Sequence, residues 1–102
     1  MTGTSAIVLA AGRSSRMGGF KPLADLGGRT LLARAVAAFA AIGVEDVVVV
    51  TGHRGGEVAA AAGLLGARPV ANPRFERGMY TSVQAGVAAV GAGRRFFLLP
   101  VD

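Results

Sequence analysis

An α/β fold built on a parallel sheet is what this sequence predicts, and three observations carry it. Apolar runs, the first two rich in β-branched residues, recur along the chain at residues 6–10, 47–50 and 96–99, with a brief strand segment at 68–71. The first two are apolar at successive positions rather than alternating, which is the pattern of a strand covered on both faces. The segments between the runs are long enough for crossover helices, and several space their apolar residues helically. At 102 residues the chain is one domain at most.

The elements follow in order. Residues 6–10 form the first strand and empty into the loop that begins at Gly12. Thr30 is placed to cap a helix running to residue 42, with Leu32, Val36, Phe39 and Ile42 on one face and Gly43 ending it. Val47 to Val50, four valines in succession, make the second strand, and residues 51–56 are its exit loop. An alanine-rich helix is expected over 57–65 and a brief third strand over 68–71, broken by Asn72-Pro73. A further helix over 81–90 puts Val83, Val87 and Val90 on one stripe, and Gly86 lets its backbone lie close to a neighbour. Residues 96–99 are the last strand. Strands alternating with helices in this way imply right-handed crossovers and a Rossmann-like parallel sheet. Pro100-Val101-Asp102 follows the fourth strand with no covering helix. One edge and one face are therefore expected to be bare, and the sequence reads as the N-terminal part of a longer domain, truncated after its fourth strand.

Composition narrows the function classes. No apolar stretch approaches the roughly 20 residues of a spanning helix, so no membrane partner is expected. The first residues show no basic segment followed by a long apolar core, which makes the cytoplasm the expected compartment. Cysteine is absent, leaving carboxylates or the single histidine, His53, as metal ligands. The formal charge is +5. Its arginines are dispersed and aromatic residues are few, so small polyanions such as nucleoside triphosphates are expected as partners rather than polymeric nucleic acid.

The loop after the first strand carries the chemistry. Gly12-Arg13-Ser14-Ser15-Arg16-Met17-Gly18-Gly19-Phe20-Lys21 joins glycines, hydroxyls and cations. Glycines let backbone N–H groups turn toward a ligand, and Arg16 and Lys21 supply charge where phosphate would lie. Lys21 is the only lysine of the chain, and a compact ammonium is not equivalent to a guanidinium at a phosphate. Arg13 is equally a second phosphate ligand or a solvated side chain. The loop is not a GxxxxGK[ST] phosphate loop, because no Gly-Lys pair occurs, and it is not GxGxxG, because residue 14 is Ser. Leu9, Ala10 and Ala11 end the strand where open α/β sheets bind ligands, and the small side chains of Ala10 and Ala11 leave room for a nucleobase.

Residues 9–23 resemble the signature of the MobA-like nucleotidyltransferases, LAAGxSxRMGxxKxL, with every fixed position filled. The run from Asn72 to Gly86 is similar to the NPxWxxGMxxSLxxG segment of cytidylyltransferases in that family, with Phe75 for Trp and Val83 for Leu. The resemblance implies the nucleotide-diphospho-sugar transferase version of the fold. It implies that Arg16 holds the triphosphate tail, that Lys21 lies at the α-phosphate, and that Gly78 and Ser82 contact the nucleotide. It also implies that Asp102, ending Leu98-Leu99-Pro100-Val101-Asp102, holds Mg²⁺. The plain alternative for Gly78 and Ser82 is an N-cap cluster at Thr81 and Ser82 with Gly78 only turning the chain, while Asn72 reads as a turn former and Met79 and Tyr80 as packing residues.

The activity so implied is nucleotidyl transfer from a nucleoside triphosphate to a phosphorylated acceptor, with release of pyrophosphate. Ala10-Ala11-Gly12 stands where guanylyl-transferring relatives show Ala-Gly-Gly, and Phe20-Lys21-Pro22 where they show Asp-Lys-Gly, which favours CTP. Molybdopterin is the acceptor that the resemblance implies. The alternatives are a sugar-phosphate or methylerythritol-phosphate nucleotidyltransferase, or a nucleotide-binding module without catalysis.

Overall fold

A computed structural model describes residues 3–12, 25–26, 29–91 and 94–101. Its centre is a four-stranded parallel sheet of β1 (Thr4–Ala10), β4 (Asp46–Thr51), β5 (Arg68–Ala71) and β6 (Arg95–Pro100), in the order β5-β4-β1-β6. Between β1 and β4 lie a short antiparallel pair, β2 (Asp25–Leu26) with β3 (Arg29–Thr30), and helix α1 (Leu31–Ala41). Helix α2 (Gly55–Leu64) joins β4 to β5, and α3 (Met79–Val90) joins β5 to β6. The expected α/β architecture is therefore present, with its parallel strands in their expected places. The β2–β3 pair has no counterpart in the hydrophobic pattern, since strands of two residues are too short to show a period.

The period of two along β1 and β4 divides their side chains between two cores. Ala6, Val8, Ala10, Val47 and Val49 pack with Leu32, Ala35, Val36 and Phe39 of α1 and Val58 and Ala62 of α2. Ile7, Leu9, Ala11, Val48 and Val50 pack on the other face with α3, through Val83, Ala85, Ala89 and Val90. Strands enclosed this way need apolar residues at every position, and each fully buried valine, leucine or isoleucine contributes about 1.5–3 kcal/mol.

Helix ends follow their local chemistry. Thr30 caps α1, its Oγ1 accepting from the Ala33 N–H at 3.0 Å, an interaction that stabilises a helix by about 1 kcal/mol. The other end corrects the sequence reading, because Ile42 is 53% exposed rather than part of the buried stripe. The helix stops at Ala41, Gly43 turns with φ 84°, and the chain delivers Val44 into the core instead. Helix α3 starts two residues earlier than expected, and its buried stripe is Ser82, Gly86 and Val90, with Val87 exposed. Gly86 explains the rotation: a Cβ there would lie 2.5 Å from Ile7 Cγ2 and 3.2 Å from Val50 Cγ2, so the helix backbone itself rests on the sheet. On β6, Phe96, Phe97, Leu98 and Leu99 are exposed, with the Phe97 ring meeting Phe39 at 5.6 Å between centroids.

Polar contacts tie the amino ends of the strands together. Fully buried Ser5 donates to Asp46 Oδ2 at 3.1 Å and accepts from Arg94 Nε at 3.1 Å. Arg68 bonds both Asp46 oxygens and the Ala89 carbonyl. Burial pushes the Asp46 carboxyl up, but hydrogen bonds from Arg68 and Ser5 and the charges of Arg68 and Arg94 outweigh it, holding the group below its ordinary value of 3.8.

Two outcomes follow from this packing. Gly86→Ala drives a methyl into Ile7 and is expected to destabilise the fold by about 1–3 kcal/mol, read from the midpoint of urea unfolding. A depressed carboxyl stabilises the fold above its unfolded value and loses that contribution as pH falls through the folded value. Stability should therefore decline below about pH 4, and Asp46→Asn should flatten this acid limb in unfolding curves measured across pH.

Candidate functional site

The carboxyl ends of the strands converge on one crevice. The chain runs from β1 outward to β4 and β5, then returns to β6 on the far side of β1, so the strand order reverses beside β1. Open α/β sheets bind ligands at this reversal. Three backbone bonds fix the rim: Val101 N–H donates to the Leu9 carbonyl at 2.9 Å, His53 N–H to Ala11 at 3.0 Å, and Asn72 N–H to Thr51 at 2.7 Å.

A cavity of about 210 Å³ opens here, lined by Leu9, Gly12, Phe75, Gly78, Met79 and Ser82. Pockets for drug-sized ligands are roughly 300–1,000 Å³, so this space suits one flat ring better than a whole nucleotide. Leu9 comes from the end of β1 and Gly12 from the opening of the loop. Phe75 starts a 3-10 turn, Phe75–Arg77, and Gly78, at φ 111°, bends the chain into α3, whose first turns carry Met79 and Ser82. A side chain at Gly78 would be strained, since that φ is readily adopted only by glycine.

Phe75 is held in place by what lies behind it. A Cβ on Gly52 would fall 2.6 Å from Phe75 Cβ and 2.8 Å from the Ala11 carbonyl oxygen. Glycine after β4 thus lets the strand's exit pass between the Phe75 side chain and the end of β1. The His53 ring lies 6.3 Å from the Phe75 ring, tilted. Arg54 follows at φ 53° and pairs with Glu57, and the Arg54 hydrogen bonds hold the Glu57 carboxyl below its ordinary value. That pair is exposed and lines no part of the cavity.

Asn72 supports the wall formed by α3. Its Nδ2 donates to Thr81 Oγ1 and to Ser82 Oγ, both at 2.9 Å, while its Oδ1 accepts from the Arg74 N–H at 3.0 Å. Thr81 Oγ1 in turn lies 2.9 Å from the Arg74 carbonyl and 2.8 Å from that of Gly78. The Oδ1 contact two residues on is an Asx turn, the role expected of this Asn.

Of the expected site residues, the structure brings Leu9, Gly12, Gly78 and Ser82 around one cavity. Ala10 and Ala11 are buried at the end of β1, on opposite faces of the sheet. Arg13, Arg16, Lys21 and Asp102 lie outside the described residues. Met79 is a correction, since it lines the cavity rather than packing in a core, and so is Tyr80, which is 72% exposed. Both sit in the first turn of α3, which begins before the residues that the apolar spacing could register. The structural role of Phe75 was visible only as an aromatic in a motif, because its contact with Gly52 joins loops far apart in sequence. Among the described residues no three His or carboxylate side chains gather, and no helix is long and apolar enough to cross a membrane.

Residues 6–102 match the model of the MobA-like NTP transferase domain. The chain is 44% identical over 106 residues to the bifunctional IPC transferase and DIPP synthase of Rubrobacter xylanophilus, covering 98% of this chain and 24% of that protein. It is 48% identical over 62 residues to the bifunctional protein GlmU of Sorangium cellulosum, covering 59% of this chain and 13% of the other. Among solved structures, a nucleotidyl transferase from Methanothermobacter thermautotroptrophicus superposes with a TM-score of 0.85 at 35% identity, over 97% of this chain and 50% of that one. The chain thus spans about a quarter of the first relative's length and half of the solved chain.

The Gly52 contact yields a paired test. Gly52→Ala is expected to lower the melting temperature by about 4–8 °C for each kcal/mol of strain, of which about 1–3 kcal/mol is expected. Gly56→Ala, where a Cβ meets nothing within 4 Å, should leave the melting temperature unchanged or raise it slightly.

Proposed function

The chain belongs to the MobA-like NTP transferase family, and from that premise we propose that it is the N-terminal, nucleotide-binding part of a single nucleotidyltransferase domain. The enzyme would transfer CMP from CTP to a phosphorylated acceptor, molybdopterin, in the cytoplasm. The observation that best supports this reading is the cavity at the strand reversal. It joins Leu9 and Gly12, from the first signature, to Gly78 and Ser82, from the second. Two motifs far apart in the chain thus meet over a space of nucleobase size. The CTP preference rests on Ala10-Ala11-Gly12 and Phe20-Lys21-Pro22, and molybdopterin rests on the family resemblance.

In this reading a phosphate oxygen of the acceptor attacks the α-phosphorus of CTP. The new P–O bond forms as the bond to the β-phosphate oxygen breaks, and pyrophosphate leaves. No covalent enzyme intermediate is needed, so the residues act by positioning and by charge. Leu9 and Gly12 seat the base from the strand side, with Ala10 and Ala11 buried between them, and Gly78 and Ser82 face it from α3. Lys21 neutralises the charge that builds at the α-phosphate, and Arg16, with Arg13 three residues before it, neutralises the departing pyrophosphate.

Mg²⁺ would be held by Asp102, which follows Val101, itself hydrogen-bonded to Leu9 at the crevice. A single carboxylate completed by phosphate oxygens and water suits this ion, which dehydrates reluctantly, and the described residues gather no competing ligand cluster. Bound there, the ion would offset phosphate charge.

A second acceptor class is open to the same segment, since the relatives that match it are a protein named for IPC transfer and proteins named GlmU. A sugar phosphate or methylerythritol phosphate would then replace molybdopterin, with the nucleotide half of the site unchanged. Pyrophosphate release from each nucleoside triphosphate against these acceptors separates the readings. Release with CTP and molybdopterin supports the first, whereas nucleotide binding without release from any acceptor supports a non-catalytic module. Lys21→Ala should cut transfer by about 10²–10³-fold while changing CTP affinity only a few-fold, and unchanged turnover would remove Lys21 from the mechanism.

A further inference from the structure

Ser82 is a buried hydroxyl that finds no acceptor among the described residues, and Asn72 sets which way its hydrogen faces. Ser82 is 4% exposed, lines the cavity, and accepts a hydrogen bond from Asn72 Nδ2 at 2.9 Å. The direction of that bond is fixed. Arg74 N–H can only donate, so the Asn72 oxygen must face it, and both hydrogens of the amide must then face Thr81 and Ser82. Asn72 is itself only 3% exposed, and each of its side-chain groups is engaged.

The two hydroxyls that receive this amide differ in what they do next. Thr81 passes its hydrogen to the carbonyls of Arg74 and Gly78. Ser82 finds no acceptor among the described residues, although a buried donor left unmade is unfavourable. With one lone pair occupied by Asn72, its hydrogen is left for the cavity.

We propose that Asn72 is a positioning residue that polarises Ser82, so that the cavity presents a hydroxyl donor and selects a ring carrying an acceptor atom at that edge, such as a pyrimidine carbonyl oxygen or ring nitrogen. The inference rests on the nucleotide reading above and adds to it the residue that sets the sense of the hydrogen bond. Asn72 does not touch the ligand. Replaced by aspartate, residue 72 still accepts from Arg74 N–H, but its second oxygen accepts from Ser82 and withdraws the hydrogen from the cavity.

Calorimetric binding of CTP and of inorganic triphosphate to the wild-type chain, Ser82→Ala, Asn72→Asp and the double variant tests this. Ser82→Ala should weaken CTP by about five- to tenfold and leave inorganic triphosphate unchanged. Asn72→Asp should weaken CTP by a similar factor when Ser82 is present, and by less than about twofold in the Ser82→Ala background. An equal Asn72→Asp penalty in both backgrounds, or a parallel loss of inorganic triphosphate binding, overturns the proposal. If Asn72→Asp does not melt cooperatively, Asn72→Ser is carried through the same cycle and judged by the same coupling. Failure of the wild-type chain to bind any nucleoside triphosphate overturns the nucleotide reading and this inference with it. CTP binding that is indifferent to Ser82→Ala overturns this inference alone.

Discussion

The contact on which the rest of the structure depends is the seat of Gly86 on Ile7. Because nothing intervenes between the α3 backbone and the Ile7 and Val50 methyl groups, the helix lies as close to the sheet as its main chain allows. That height fixes Ser82, one turn earlier on the same face, and Gly78, one turn earlier again. The wall of the cavity is thus registered against the central strand through a single missing side chain.

The opposite wall is set from the strand side. β1 is paired on both edges, so its end can shift only if two ladders shift with it. Leu9 and Gly12 inherit this rigidity, and Phe75 acquires it through Gly52, which has no room for a side chain. Close packing at two glycines holds the site, and a small hydrogen-bond network around Asn72 orients it. Little of this depends on surface charge, since the exposed Arg54–Glu57 pair stands apart from the cavity.

Much of the fold was legible in the sequence because the strands are buried on both faces. Val47 to Val50 admits few other readings, and Thr30 declared its helix by a cap whose bond is present. Gly86 was legible as a point of close approach, although its neighbour was not. The departures occur where tertiary packing overrides a period. Ile42 continues the stripe of α1 in sequence, yet Gly43 turns the chain so that Val44 takes the core position. Val87 fits the spacing of Val83 and Val90, but the near contact at Gly86 moves the buried stripe to Ser82, Gly86 and Val90. Of the site, the signatures marked which segments matter, and the six residues named along the cavity all fall within them. The part played by Asn72 was illegible, because a turn-forming Asn looks the same in sequence whether its amide meets water or two hydroxyls.

The chain Arg68, Asp46, Ser5 and Arg94 runs across the sheet in strand order, from β5 through β4 and β1 to the residue before β6. Every strand is stitched to its neighbour at the same, amino-terminal end. The backbone ladders carry this stitching on to the carboxyl ends, where Val101 N–H on the Leu9 carbonyl and Asn72 N–H on the Thr51 carbonyl close the far rim. The crevice lies on that rim. A ligand therefore meets a border already formed, and the ionic seam at the opposite border resists the fraying that would splay the strands apart.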